Sequence, residues 1–269
     1  MKKLFTPEQE QFIRDNYKTK TYKEIGSLLG GFTSKQVRTW ASSNGLRKNR
    51  IINSDYFQEI DTPLKAYLLG FIYADGWIVA NYNTNNFEFG MELQSSDKYI
   101  LDKINTELGG TCLIIHNNPY KHEICGVKTI SNHRDCIRVF SKQLVLDLIK
   151  HGIETNKTQK DVFPIVSNDL FFDWLRGYID GDGCYYNHKN KIYMNITCSS
   201  NIPLEYVQNK LKIFGIKTNI YKEKERKYRL MCTDSKSINS LIKYLYYDNN
   251  VFCLKRKYKK IEHLLGLAA

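Results

Sequence analysis

The sequence has no CxxC pair, no apolar run long enough to cross a bilayer, and no apolar h-region behind its basic start. Each absence excludes something. Seven cysteines form an odd set with no ligand-spaced pair, which argues for reduced thiols in an intracellular protein. The longest apolar run, YLLGFIYA, is far shorter than a membrane span. The start MKKLFTPEQEQ lacks the core of a signal peptide, so the chain is expected not to be secreted. Acids are also in short supply: 28 Asp and Glu stand against 40 Lys and Arg, a net charge of +12. Such an excess suits an anionic partner, and nucleic acid is the commonest one.

The excess is uneven. Residues 1–50 hold 11 Lys and Arg against 4 Asp and Glu, hence +7, which leaves about +5 for the rest. Three capping boxes follow one another there: Thr6 with Gln9, Thr21 with Glu24, Thr33 with Gln36. Pro7 suits a first helical position, and Gly30 and Gly45 fall where helices should stop. Helices are predicted over 7–16, 22–29 and 34–44, sharing a core of Phe12, Ile13, Ile25, Leu28, Leu29, Val37, Trp40 and Leu46. The short GGFT turn makes this a helix-turn-helix domain, similar to small Myb-like domains. Lys35, Arg38, Thr39 and Ser42 lie on the exposed side of the third helix, the expected DNA reader. Arg47, Lys48 and Arg50 suit phosphates.

A Cys/His group, Cys112, His116, His122, Cys125, His133 and Cys136, contains H-x2-C twice. It offers a small zinc site, against the plainer reading of a polar hairpin with scattered ligand types.

The rest of the chain repeats. AYLLGFIYADGWIV (66–79) aligns with WLRGYIDGDGCYY (174–186) at an offset of 182 − 75 = 107. After each copy comes a hairpin of period two, a helix, more strands and a closing helix. Phe87, Phe89, Met91 and Leu93 form one buried stripe; Ile192, Met194, Ile196 and Cys198 form the other. Gly70 and Ala74 share one helix face, as do Gly177 and Gly181, so two such helices can pack backbone to backbone. Asp75 and Asp182 then become neighbours at two helix C-termini. That arrangement is electrostatically poor without a divalent cation, most simply Mg²⁺.

Residues 60–265 resemble the LAGLIDADG homing endonucleases in their single-chain, two-repeat form. The resemblance implies an α+β fold: two pseudo-twofold α-β-β-α-β-β-α units forming a saddle on DNA. The expected layout is a helix-turn-helix domain over 1–50, a linker over 51–60, and repeats over 61–160 and 161–269. It implies Asp75 and Asp182 as catalytic metal ligands for Mg²⁺ or Mn²⁺, with backbone near Gly76 and Gly183 also contributing. It implies a basic residue after each closing helix, here Lys157 and Lys255, and polar residues at the hairpin ends, here Gln94 and Ser199. Asp180 has only Tyr73 opposite it in the first copy and is expected to be a cap or supporting group. Arg176 replaces a small residue of the motif and is expected to alter helix packing.

Specificity would come from polar strand faces in the major groove: Tyr185, Asn187, Lys189, Tyr193, Asn195 and Thr197. Arg226, Lys227 and Arg229 in the basic stretch KEKERKYR suit the DNA backbone. Glu88 and Glu92 are awkward on such a surface. The expected partner is double-stranded DNA with a long asymmetric site, bound by a monomer in the cytoplasm, nucleoid or an organelle. Two alternatives stay open: an intron-splicing RNA maturase on the same fold, and a DNA-binding regulator without cleavage. The start at Met1 and the end in GLAA argue against an intein.

Overall fold

The computed structural model describes residues 4–46, 52–119, 121–124, 127–155, 161–188, 191–248 and 250–262, the side chains of 121–124 and 127–129 excepted. It divides into two compact units, 1–51 and 52–269. No helix among the described residues is long and apolar enough to cross a membrane.

The first unit contains α1 (Pro7–Asn16), α2 (Tyr22–Leu28) and α3 (Ser34–Ser43). All three capping boxes are formed: each Thr hydroxyl accepts from the backbone N–H three residues on, and that residue's side chain reaches back to the cap. Phe5, Ile13, Ile25, Val37 and Ala41 are the buried centre. Leu28 does not join them; it is 62% exposed, because it sits at the last residue of α2. Lys35, Arg38, Thr39 and Ser42 are all exposed on α3, opposite Val37 and Ala41. Arg47, Lys48 and Arg50 lie outside the described residues.

The second unit holds two repeats of one plan. The first runs α4 (Pro63–Asp75), β1 (Gly76–Asn81), β2 (Asn86–Gln94), α5 (Lys98–Glu107), β3 (Ile114–Asn117), β4 (Lys121–Ile124), β5 (Val127–Ile130), β6 (Arg134–Phe140) and α6 (Lys142–Lys150). The second runs α7 (Phe171–Asp182), β7 (Gly183–His188), β8 (Lys191–Cys198), α8 (Ile202–Ile213), β9 (Asn219–Lys224), β10 (Lys227–Cys232) and α9 (Ser235–Leu245), followed by the short α10 (Lys255–Tyr258). The antiparallel sheets have the orders β1-β2-β6-β3 and β7-β8-β10-β9, so β3 matches β9 and β6 matches β10. The extra hairpin β4–β5 is inserted in the first repeat only, which is why its middle is longer.

Alternation sets the faces. Phe87, Phe89, Met91 and Leu93 are buried under the first sheet, and Met194 and Ile196 under the second. On the other face of the first sheet Glu88 is buried by a two-point pair with Arg138 of β6. Glu92 accepts from Asn117 at 3.0 Å and faces Arg134 at 3.6 Å. The two acids therefore have cationic neighbours on the adjacent strand and present no bare negative face.

The helices α4 and α7 cross at the centre of the core. A Cβ on Gly70 would collide with the carbonyl oxygen of Trp174, and one on Gly177 with the carbonyl oxygen of Tyr67. A Cβ on Gly181 would collide with the methyl of Ala74. The contacts are reciprocal, since 174 − 67 and 177 − 70 both equal 107. Small residues are required there because the backbones themselves touch.

Candidate active site and nucleic-acid interface

Asp75 and Asp182 are the last residues of α4 and α7, and both are exposed. The seam brings them to one place: a Cβ on Gly181, the residue before Asp182, would lie 3.5 Å from Asp75 Oδ2. Each aspartate opens onto its own cleft. The Asp75 cleft is lined by Gln94, Asp97, Arg134 and Arg256 among others. The Asp182 cleft is lined by Thr197, Ser199, Arg226 and Lys227 among others. Strand register makes Gln94 and Ser199 equivalent: Gly76 pairs with Met91 and Gly183 with Ile196, so the hairpin offset is 196 − 91 = 105, and 199 − 94 is the same. Both predicted hairpin-end residues thus stand beside their own motif aspartate.

The donors gathered here are hard oxygens at two helix C-termini, which fits Mg²⁺ or Mn²⁺ and does not fit a soft metal. The backbone at Gly183 is a poorer ligand than expected. Its carbonyl accepts from the ammonium of Lys257 at 2.5 Å, as do those of Ile179 at 2.9 Å and Gly181 at 3.0 Å. A carbonyl already bound to one cation has little to offer another.

Lys257 was missing from the sequence reading. It is 6% exposed, and burial lowers its pKa while the nearby Asp180 and Asp75 carboxylates oppose that shift. Lys255, the residue chosen from the same basic run, is exposed, with its ammonium 4.9 Å above the Tyr99 ring. Nothing in the run KRKYKK distinguishes the inward lysine; the one-turn helix α10 does. Lys157 lies outside the described residues.

Asp180 is buried. Its Oδ2 accepts from the Tyr67 hydroxyl at 2.9 Å and from the Leu254 N–H at 2.7 Å. Burial pushes its pKa up to about 6, against the opposing pull of those two bonds and of Lys257. Arg176, also buried, donates to Asp173 at 2.6 Å, to the Leu245 carbonyl at 2.7 Å and to the Phe252 carbonyl at 3.1 Å.

The outer face of the second sheet carries Tyr193, Asn195 and Thr197, each half-buried. Arg229 is opposite Thr197 and is held by Glu223 at 2.6 Å. Arg226 sits in the β9–β10 turn with φ +53°, beside Lys227. Tyr185 is a correction: it is fully buried, because Cys184 pairs with Asn195 and Tyr186 with Tyr193. The outward residues of β7 are therefore Cys184, Tyr186 and His188, with Tyr186 stacked on Tyr193 at 5.4 Å. Asn187 is exposed only by its place near the strand end, and Lys189 lies outside the described residues. Cross-strand pairing, not alternation within one strand, would have given the right face.

The described members of the Cys/His group do not converge. No set of three His, Cys, Asp or Glu suited to a metal exists among the described residues. Cys112 and Cys136 are buried, and His116 bridges Asp135 and His133 by hydrogen bonds at 3.1 and 3.2 Å. Cys125 and the side chain of His122 lie outside the described residues.

Comparison with known proteins bears on the fold. Residues 171–245 match the family model of the LAGLIDADG-like domain. A probable intron-encoded endonuclease 4 from Neurospora crassa is 25% identical over 153 residues, covering 54% of this chain and 28% of that protein. The match spans less than a third of that relative's length. Among solved structures, the homing endonuclease I-WcaI bound to its DNA recognition sequence has a TM-score of 0.52 at 16% identity, covering 82% of this chain and 96% of that one. Meganuclease I-SmaMI bound to an uncleavable DNA has a TM-score of 0.50 at 15% identity, covering 76% and 90%. At such identities the structural likeness establishes the fold. The chain has the two-repeat fold of the homing endonucleases, and its second repeat matches the LAGLIDADG-like domain.

Proposed function

We propose that the protein is a site-specific endonuclease of double-stranded DNA that hydrolyses one phosphodiester on each strand, with Mg²⁺ or Mn²⁺ held by Asp75 and Asp182. The observation that carries this reading is the pair of exposed aspartates at the ends of two helices packed backbone to backbone. A protein that only binds DNA gains nothing from bringing two carboxylates together at two negative helix ends.

The residues divide the work. Asp75 and Asp182 hold the cation, which supplies Lewis acidity toward the phosphate and offsets charge on the leaving oxygen. Gln94 and Ser199 position water or phosphate at the two clefts. Arg134 and Arg256 at one cleft, and Arg226 and Lys227 at the other, neutralise the DNA backbone. Tyr193, Asn195 and Thr197 read base edges, joined by Tyr186 and His188. Lys35, Arg38, Thr39 and Ser42 of α3 extend the footprint as a helix-turn-helix reader. A single chain with two unlike repeats suits a long asymmetric site and a monomer acting where cellular DNA is kept.

The test is cleavage selection from a duplex library that includes the DNA flanking the gene. Cutting of both strands that requires Mg²⁺ or Mn²⁺ is expected. Binding without cutting under all divalent cations would overturn the reading.

A further inference from the structure

After α9 the chain crosses back to the first repeat, and almost every residue of 252–257 is tied down. The Phe252 carbonyl accepts from Arg176. The Tyr99 hydroxyl donates to the Cys253 carbonyl at 3.1 Å and accepts the Lys255 N–H at 2.6 Å. The Leu254 N–H donates to Asp180. The Phe252 ring lies edge-on to Tyr67 at 5.4 Å. This strap ends at the Asp75 cleft, where Arg256 donates to Asp97 at 2.8 Å. The same Asp97 oxygen accepts from Gln94 at 2.8 Å.

The centre of the strap is Asp180. One of its oxygens takes both donors, Tyr67 from the first repeat and Leu254 from the strap, while Oδ1 has no hydrogen-bond partner among the described residues. A carboxylate 1% exposed is costly, and more so with one oxygen unsatisfied. The equivalent position in α4 is Tyr73, which packs its ring on Tyr178 at 5.1 Å and carries no carboxylate. The cost is incurred once, on the side whose strap reaches Asp75.

We propose that Asp180 is a positioning residue that clamps the 252–257 strap across the repeat boundary, so that Arg256 and Gln94 are set for cutting one DNA strand and not the other. The inference rests on the nuclease reading for its strand claim, but the clamp stands on geometry alone. Asp180→Asn keeps an oxygen for both donors; Asp180→Ala removes it.

The experiment has two arms. Hydrogen exchange of peptides covering 252–258 in the intact chain is expected to speed up by about tenfold or more in Asp180→Ala and to stay near wild type in Asp180→Asn. Unchanged exchange in a folded Asp180→Ala protein overturns the clamp whether or not the protein cuts DNA. If Asp180→Ala does not fold, Leu254→Pro removes the same donor, and unchanged exchange in the rest of the strap overturns the clamp. Strand-resolved nicking of a cleaved duplex is the second arm. Arg256→Ala and Asp180→Ala are expected to slow the same strand by about tenfold or more, with Asp180→Asn restoring it. Equal slowing of both strands, or slowing of different strands by the two variants, overturns the positioning role. Absence of cutting by the wild type, with exchange as expected, refutes the nuclease reading and the strand claim with it, and leaves the clamp established.

Discussion

Where α4 carries Ala66, Leu69 and Tyr73, α7 carries Asp173, Arg176 and Asp180. All six are buried. The seam faces of the two helices are the same, Gly70 and Ala74 against Gly177 and Gly181, because backbone contact admits nothing larger. The other buried positions of the two helices have diverged. The first helix carries no charge at these positions, and Tyr73 packs across on Trp174 and Tyr178. The second uses buried charge to hold the end of α9 and the strap behind it. A twofold duplication therefore constrains the positions where backbone meets backbone and releases the others, even those that still touch the partner helix. The polar side is the one with a C-terminal segment to anchor, which explains why the charges sit there.

Several changes would break or sharpen this comparison. The largest effect is expected at the shared end: Asp75→Asn or Asp182→Asn should abolish double-strand cutting while DNA binding, read by gel shift, stays within a few-fold. Undiminished cutting by either variant refutes the assignment. Next is Arg176→Leu, which gives α7 the residue of α4. It leaves Asp173 buried with only the Tyr247 hydroxyl at 3.1 Å and should cost about 4 kcal/mol in denaturant unfolding. Adding Asp173→Ala should recover part of that loss, but not all, since the Leu245 and Phe252 carbonyls still lack their donor. Gly177→Ala pushes a methyl into the Tyr67 carbonyl oxygen, a backbone atom that cannot swing aside, and should cost about 3 kcal/mol or more. A cost near zero would mean the helices can move apart.

Asp180 predicts a pH effect. Its pKa of about 6 in the fold lies above the ordinary 3.8, so the folded state favours the protonated form. Its contribution to stability is full below about pH 4 and is lost as pH rises through about 6, a change of about 3 kcal/mol. The stability difference between wild type and Asp180→Asn should shift by that amount between those limits; a constant difference would show that the carboxyl titrates normally.

Much of the fold was legible because it rests on local rules. The three capping boxes, the hydrophobic stripe from Phe87 to Leu93, and the motif repeated at 107 residues all place their elements where the structure has them. The meeting of the two aspartates was also legible, since small-residue spacing fixes which helix ends meet, while Gln94 and Ser199 followed from the family resemblance alone. Tyr185 was misplaced because a strand's outward face depends on its partner's register. Glu88 and Glu92 looked wrong on the open face only because Arg138 and Arg134 are about 50 and 42 residues away in sequence. Leu28 looked like core until α2 ended at it.

By itself, then, the sequence determined the number of repeats, the closeness of α4 and α7, and the position of the paired carboxylates. Each follows from short-range periodicity or from the size of a glycine. Only the tertiary structure decided that Lys257 and not Lys255 turns inward, that Asp180 grips Leu254 at a separation of 74 residues, and that Arg256 arrives beside Asp75. Those outcomes depend on where a returning segment of chain is held, and hydrogen bonds between distant backbone and side-chain atoms leave no periodic trace in the residues that make them.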